Sequence, residues 1–123
     1  MTETALHISV AQYLDMALPE SATWTTIGHG GGGKTRGAKL KQMGVKPGWP
    51  DIIILHKGIA WGCYTFATYF IELKTEKGRL SKHQKAAHAQ IRNAGGIVAV
   101  CRSIPEVEGT LRGWGIPLKA HAA

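Results

Sequence analysis

Apolar residues recur along this chain in two rhythms, one helical and one alternating, and the switches between them predict an order of elements. From Thr4 to Leu18, the residues Ala5, Ile8, Ala11, Tyr13 or Leu14, and Leu18 keep helical spacing, with Thr2 or Thr4 available as a cap and Pro19 as a stop. Ala22 to Ile27, rich in Thr and Trp, reads as a strand. A short helix near Ala38 to Met43 is possible before Gly44, Pro47, Gly48 and Pro50 break the pattern. Two apolar words follow, Pro50-Asp51-Ile52-Ile53-Ile54-Leu55 and Tyr69-Phe70-Ile71-Glu72-Leu73-Lys74, and both read as strands largely buried on their two faces. Helical spacing returns from Ser81 to Ala94, opened by the capping box Ser81-x-x-Gln84 and closed by Gly95-Gly96. On that helix Gln84, Ala87, His88, Ile91 and Ala94 share one face, while Lys82, Lys85 and Arg92 point out or sideways. Ile97 to Cys101 is a short apolar strand, Ser103 or Ile104-Pro105 opens a last helix reaching Trp114, and Ala120 to Ala123 reads as a frayed tail. The order α-β-β-β-α-β-α in 123 residues predicts one α/β domain over residues 1–123, a mixed central sheet flanked by helices.

The candidate chemistry sits at the ends of the two apolar words. Side chains alternate along a strand, so Phe70, Glu72 and Lys74 share a face. If the two strands pair antiparallel through a tight turn at Trp61-Gly62, Asp51 lies opposite Glu72 and on the same face. A turn at Lys57-Gly58 is the competing register. Converging carboxylates repel unless a cation joins them, and Mg2+ or Mn2+, which favour oxygen ligands, suit such a pair. Lys74 then places a positive charge beside the reaction centre. The plainer alternative is that Asp51 caps a strand while Glu72 and Lys74 form a structural ion pair.

Charge narrows the partner. With 15 Lys and Arg against 8 Asp and Glu, the formal charge of +7 favours a polyanion, and the lack of an apolar span or a basic amphipathic helix favours nucleic acid over membrane. Lys34, Arg36, Lys39, Lys41 and Lys46 follow one another with no acid among them, a run able to neutralise several phosphates. Gly28 to Thr35 also satisfies G-x-x-x-x-G-K-[ST], which admits a nucleotide-binding loop if a parallel sheet and a longer helix flank it. A DNA-binding module whose acidic site is only structural is the other alternative. Cys63 and Cys101 read as buried thiols, the six His are scattered without metal-finger spacing, and the start MTETALHISV lacks a signal-peptide pattern, so the expected location is cytoplasmic.

The runs Gly48-Trp49-Pro50-Asp51, Ile71-Glu72-Leu73-Lys74 and Gly78-Arg79-Leu80-Ser81-Lys82-His83-Gln84 together resemble the virus-type replication-repair nuclease (VRR-NUC) family, a branch of the PD-(D/E)XK nucleases. The resemblance runs from about Glu3 to about Leu118 and implies a restriction-endonuclease-like core. It implies that Asp51 and Glu72 hold Mg2+ or Mn2+ with the carbonyl of Leu73, that Lys74 assists the attack of water, and that Gln84 positions water, metal or phosphate. It also offers Glu3 a place at the metal, ahead of Asp15 and Glu20; helix-dipole stabilisation is that residue's plainer role. Ser81 and Lys82 join the basic run as expected DNA contacts. The resemblance further implies a metal-dependent DNA endonuclease acting on branched or flapped DNA, working as a homodimer. Lys57 to Thr68 departs from the family's short linker between the two strands.

Overall fold

A computed structural model describes residues 1–27, 34–60 and 62–122, with residues 34–36 and 60 described by backbone alone. The chain runs α1 (Glu3–Ala17), β1 (Ala22–Thr26), α2 (Lys34–Gln42), β2 (Ile52–Ala60), β3 (Cys63–Leu73), α3 (Lys82–Asn93), β4 (Ile97–Cys101) and α4 (Ile104–Gly113). This is the predicted order with α2 inserted, beginning earlier than its apolar residues suggest. Thr2 caps α1, its Oγ1 accepting the Ala5 N–H at 3.0 Å. The buried stripe of α1 is Leu6, Val10, Tyr13, Leu14 and Ala17. Ile8, expected in the core, is 56% exposed. Both stripes have helical spacing, and the one carrying the bulkier residues wins the sheet.

Strands lie in the order β1-β2-β3-β4. β1 with β2 and β2 with β3 pair antiparallel, and β3 with β4 parallel, α3 being the crossover that a parallel pair requires. The β2–β3 ladder pairs Ile52 with Ile71 and runs to Ala60 with Cys63, which leaves two residues for the turn, of which Gly62 has φ 76°. Of the two registers open in the sequence, this is the one that sets Asp51 beside Glu72.

One face of the sheet buries Ile52, Ile54, Tyr69, Ile71, Leu73 and Cys101 against α1 and α4. Ile52 and Ile54 have no exposed surface, and each contributes about 1.5–3 kcal/mol by leaving water. The Tyr13 hydroxyl donates to Glu108 Oε1 at 3.1 Å and joins the two helices. On the opposite face α3 covers only the end nearest Glu72, where Ile91 packs with Phe70, Val98, Ile53 and Trp49. Further along, β2 and β3 run on as a ribbon beyond the helix. The expectation of largely buried strands holds for Ile52, Ile54 and Tyr69 to Leu73 but not for Leu55, which is 47% exposed, and in the ribbon beyond these words Tyr64 and Phe66 are 62% and 77% exposed. Cys63 lies on that ribbon and is exposed, whereas Cys101 is buried as expected. No described helix is long and apolar enough to cross a membrane.

Candidate active site

At the end of the β2–β3 ladder a side chain takes over from the backbone. Asp51 Oδ2 accepts the Leu73 N–H at 2.7 Å, while the Asp51 carbonyl accepts the Ile27 N–H at 2.7 Å. The carboxylate is thereby held against the strand that carries Glu72. Glu3, from the first turn of α1, arrives at the same place, and carboxylate oxygens of Glu3, Asp51 and Glu72 lie within 4.8 Å of one another. Asp15 is engaged elsewhere, accepting from Trp24 Nε1 at 2.9 Å. Glu72 and Lys74 are buried, Glu72 with 1% of its surface exposed, and Glu3 faces solvent.

The start of α3 closes the site from the other side. Ser81 Oγ accepts the Gln84 N–H at 3.1 Å and Gln84 Oε1 accepts the Ser81 N–H at 2.9 Å, completing the capping box. That bond fixes which end of the amide points where, and Gln84 Nε2 donates to Glu72 Oε2 at 3.4 Å. One side chain thus caps the helix and touches the site. His88, one turn later, places Nε2 3.1 Å from Glu72 Oε1 and is itself only 2% exposed. With Glu72 ionised, Nε2 carries the hydrogen and donates. His88 Nδ1 is then a bare acceptor, and it has no hydrogen-bond partner among the described residues.

Two contacts hold α3 in register with the strands. A Cβ on Gly48 would come within 2.3 Å of the His83 carbonyl oxygen, and its φ is 85°, so only glycine lets the segment leading to Asp51 lie on the helix start. Arg102 Nη1 donates to the carbonyls of Thr75 at 2.7 Å and Gly78 at 2.6 Å, stapling the loop between Lys74 and Ser81.

The electrostatics suit a divalent cation. Burial first, then the hydrogen bond and charge of Asp51, push the Glu72 carboxyl up to about 9; Lys74 opposes this and Glu3 adds to it. Burial, then the charges of Arg92 and Lys74, lower His88 below its ordinary range and keep it neutral. A three-carboxylate oxygen set whose buried member resists ionising fits a divalent cation with a preference for oxygen, because such an ion supplies the charge the site lacks. His88 was not singled out from sequence. Its signal was a polar residue four positions after Gln84 in the buried stripe of α3.

Gln84→Glu keeps an oxygen for the Ser81 N–H but sets a fourth carboxylate against Glu72, beside those of Glu3 and Asp51. Any activity that depends on this site is expected to fall at least roughly tenfold, a cost of about 1.4 kcal/mol, with the helix retained by circular dichroism. Equal activity at matched metal concentration would confine Gln84 to capping.

The basic residues are placed unevenly. Lys39 and Lys41, in the last turn of α2, are exposed, as are Lys46 ahead of β2 and Lys82 at the start of α3. Ser81 is committed to its cap. The side chains of Lys34 and Arg36 fall outside the described residues, as do Gly28 to Gly33 of the nucleotide-loop pattern. The strand before that pattern, β1, pairs only antiparallel and stands at the sheet edge, unlike the parallel strand a nucleotide loop requires.

Comparison with known proteins agrees with this fold. A solved structure described as a VRR_NUC domain protein superposes with a TM-score of 0.67 at 20% identity, covering 93% of this chain and 88% of that one, and so shares its fold. No curated protein sequence matches the chain. The family model for the VRR-NUC domain matches residues 26–105, which include Asp51, Glu72, Lys74 and Gln84. With well over half its length matched, the chain belongs to the VRR-NUC domain family of nucleases.

Proposed function

We propose that this chain is a divalent-cation-dependent endonuclease that hydrolyses phosphodiester bonds in DNA, with branched or flapped DNA as its substrate and a homodimer as its working form. The observation that carries the reading is the convergence of Glu3, Asp51 and Glu72 within 4.8 Å, one of them buried beside Lys74. Asp51 and Glu72, with Glu3 and the Leu73 carbonyl, would hold Mg2+ or Mn2+. When bound, such an ion supplies positive charge to the scissile phosphate and acidifies a water that attacks it. Lys74 adds a fixed cation at the face where negative charge develops in the transition state. Gln84, held by its cap, offers an amide hydrogen at the same place. Lys39, Lys41, Lys46 and Lys82 are exposed on the segments that flank the site and would track the DNA backbone, with Lys34 and Arg36 in the same basic run. Two copies related by a two-fold axis would present two such sites to a branch point.

The test is a panel of linear, flapped and four-way DNA incubated with Mg2+, Mn2+ or EDTA. Metal-dependent cutting that favours the branched members is expected. Cutting in EDTA, or tight DNA binding without cleavage under any metal, would overturn the reading in favour of a different chemistry or a binding module. Sedimentation of the free protein measures the dimer directly.

A further inference from the structure

The face of the sheet that carries Glu72 continues past the end of α3 with no described residue covering it. Direct pairing across the antiparallel ladder places Leu55 with Thr68, Lys57 with Phe66 and Ile59 with Tyr64 on that face, in line with the Asp51–Glu72 end. Exposure rises steeply along it. Phe70 is 5% exposed, Leu55 47%, Tyr64 62%, Ile59 74% and Phe66 77%. Side chains of this size are normally buried, and a contiguous group of them marks a surface for a partner.

Charge selects the partner. Across β1, β2 and β3 the one acid is Glu72, while Lys57 lies on this face with its ammonium 4.7 Å from the centre of the Tyr64 ring. Glu20, just before β1, lines the same cleft as Leu55, Lys57 and Phe66 and so stands at one rim of the patch. A second copy docked about a two-fold axis through the centre of the patch would bring the two Lys57 side chains together, and the exposed part of the two strands supplies no acid between them. A polyanion that also carries flat apolar rings meets both features, since bases stack on exposed aromatics and phosphates pair with the lysine.

We infer that this ribbon face, centred on Tyr64, Phe66 and Lys57, is a stacking platform for unpaired nucleotides, so that the chain grips a single-stranded arm of its substrate at a distance from the cut. Six residues separate Phe66 from Glu72 along β3, roughly 20 Å at the rise of a strand. The platform therefore lies about that far from the acidic cluster, past the end of α3. The inference rests on the nuclease reading and sharpens its substrate to DNA with an unpaired arm.

The experiment is fluorescence anisotropy in EDTA, where nothing is cut, with a dye-labelled oligothymidylate about 12 nucleotides long, a blunt duplex and the same duplex with a single-stranded arm. The wild-type chain is expected to bind the armed duplex more tightly than the blunt one. Tyr64→Ala with Phe66→Ala should weaken binding of the oligothymidylate and the armed duplex at least about tenfold, leave the blunt duplex within about twofold, and keep the thermal midpoint. Phe66→Trp should restore binding and show quenching of the new indole on the oligonucleotide. Unchanged affinity for the oligothymidylate in the double variant would overturn the platform, and so would a wild-type dimer that falls apart in that variant by sedimentation, which would make the face a contact between copies. Because binding is read without cleavage, a failed platform leaves metal-dependent cutting of duplex DNA intact, and a failed nuclease reading leaves the anisotropy result standing.

Discussion

Cleavage of DNA is expected to fall by roughly a thousandfold or more when Glu72 is replaced by Gln, while the protein stays folded. The substitution is nearly isosteric, and its carbonyl oxygen still accepts from His88, so the buried end of the side chain keeps its partner. What disappears is the charge that would hold the cation between Glu3, Asp51 and Glu72. Titration of activity against Mn2+, with circular dichroism on the same sample, separates the two effects. Lys74→Ala is the natural companion, since it removes a charge beside the reaction and no ligand: cleavage should fall while metal binding persists. A folded Glu72→Gln protein that cuts at the wild-type rate would remove Glu72 from the chemistry altogether.

Much of this candidate site is readable in the sequence, for a specific reason. Asp51, Glu72 and Lys74 lie on strands, where alternation dictates the face each side chain takes, and a two-residue turn between Ala60 and Cys63 is enough to set Asp51 beside Glu72. Gln84 was legible because its capping box with Ser81 is local and helix periodicity then aims it at the sheet. Distance in sequence is what hid the rest. Glu3, which the family resemblance named and no local rule could, reaches the cluster through the packing of Leu6, Val10 and Leu14 on the sheet, and helical spacing alone does not separate that stripe from the one containing Ile8. His88 looked like one more residue of a buried face, because its meaning depends on which side chain stands opposite. The exposure of Tyr64 and Phe66 was equally hidden: an apolar strand reads alike whether or not a helix is long enough to cover it, and α3 ends at Asn93 beside Phe70 and Thr68.

The metal-free protein is expected to lose stability as pH rises from about 6.5 to about 8.5, and a divalent cation is expected to abolish that loss. In the folded chain the Glu72 carboxyl is pushed up to about 9, by burial first and then by the neighbouring Asp51. In the unfolded chain it titrates near the ordinary glutamate value of about 4.3. Between these values the folded state keeps a proton that the unfolded state has released, so each pH unit removes about 1.4 kcal/mol. The contribution is full below the unfolded pKa and lost as pH climbs through the folded one. His88 acts in the opposite direction, since its lowered pKa costs stability only as pH falls through the ordinary histidine range. Cys101 and Tyr13 are both raised by burial: the thiol adds to the loss in the same direction at the top of the window, where an ordinary thiol begins to ionise, and Tyr13 contributes only above it. Within it Glu72 dominates, and two units amount to about 3 kcal/mol, or roughly 10 °C in melting temperature for a domain of this size. Saturating Mg2+ or Mn2+ replaces the proton as the source of positive charge, so the melting temperature should rise most at the high end of the window, where the carboxylate is easiest to ionise. Glu72→Gln should melt above the wild type in EDTA at pH 8.5, show a flat profile, and gain little from metal. Differential scanning fluorimetry across the window reads all of this without any DNA present. A wild-type profile already flat in EDTA would mean that Glu72 is ionised in the folded protein without a cation, with Lys74 alone compensating it.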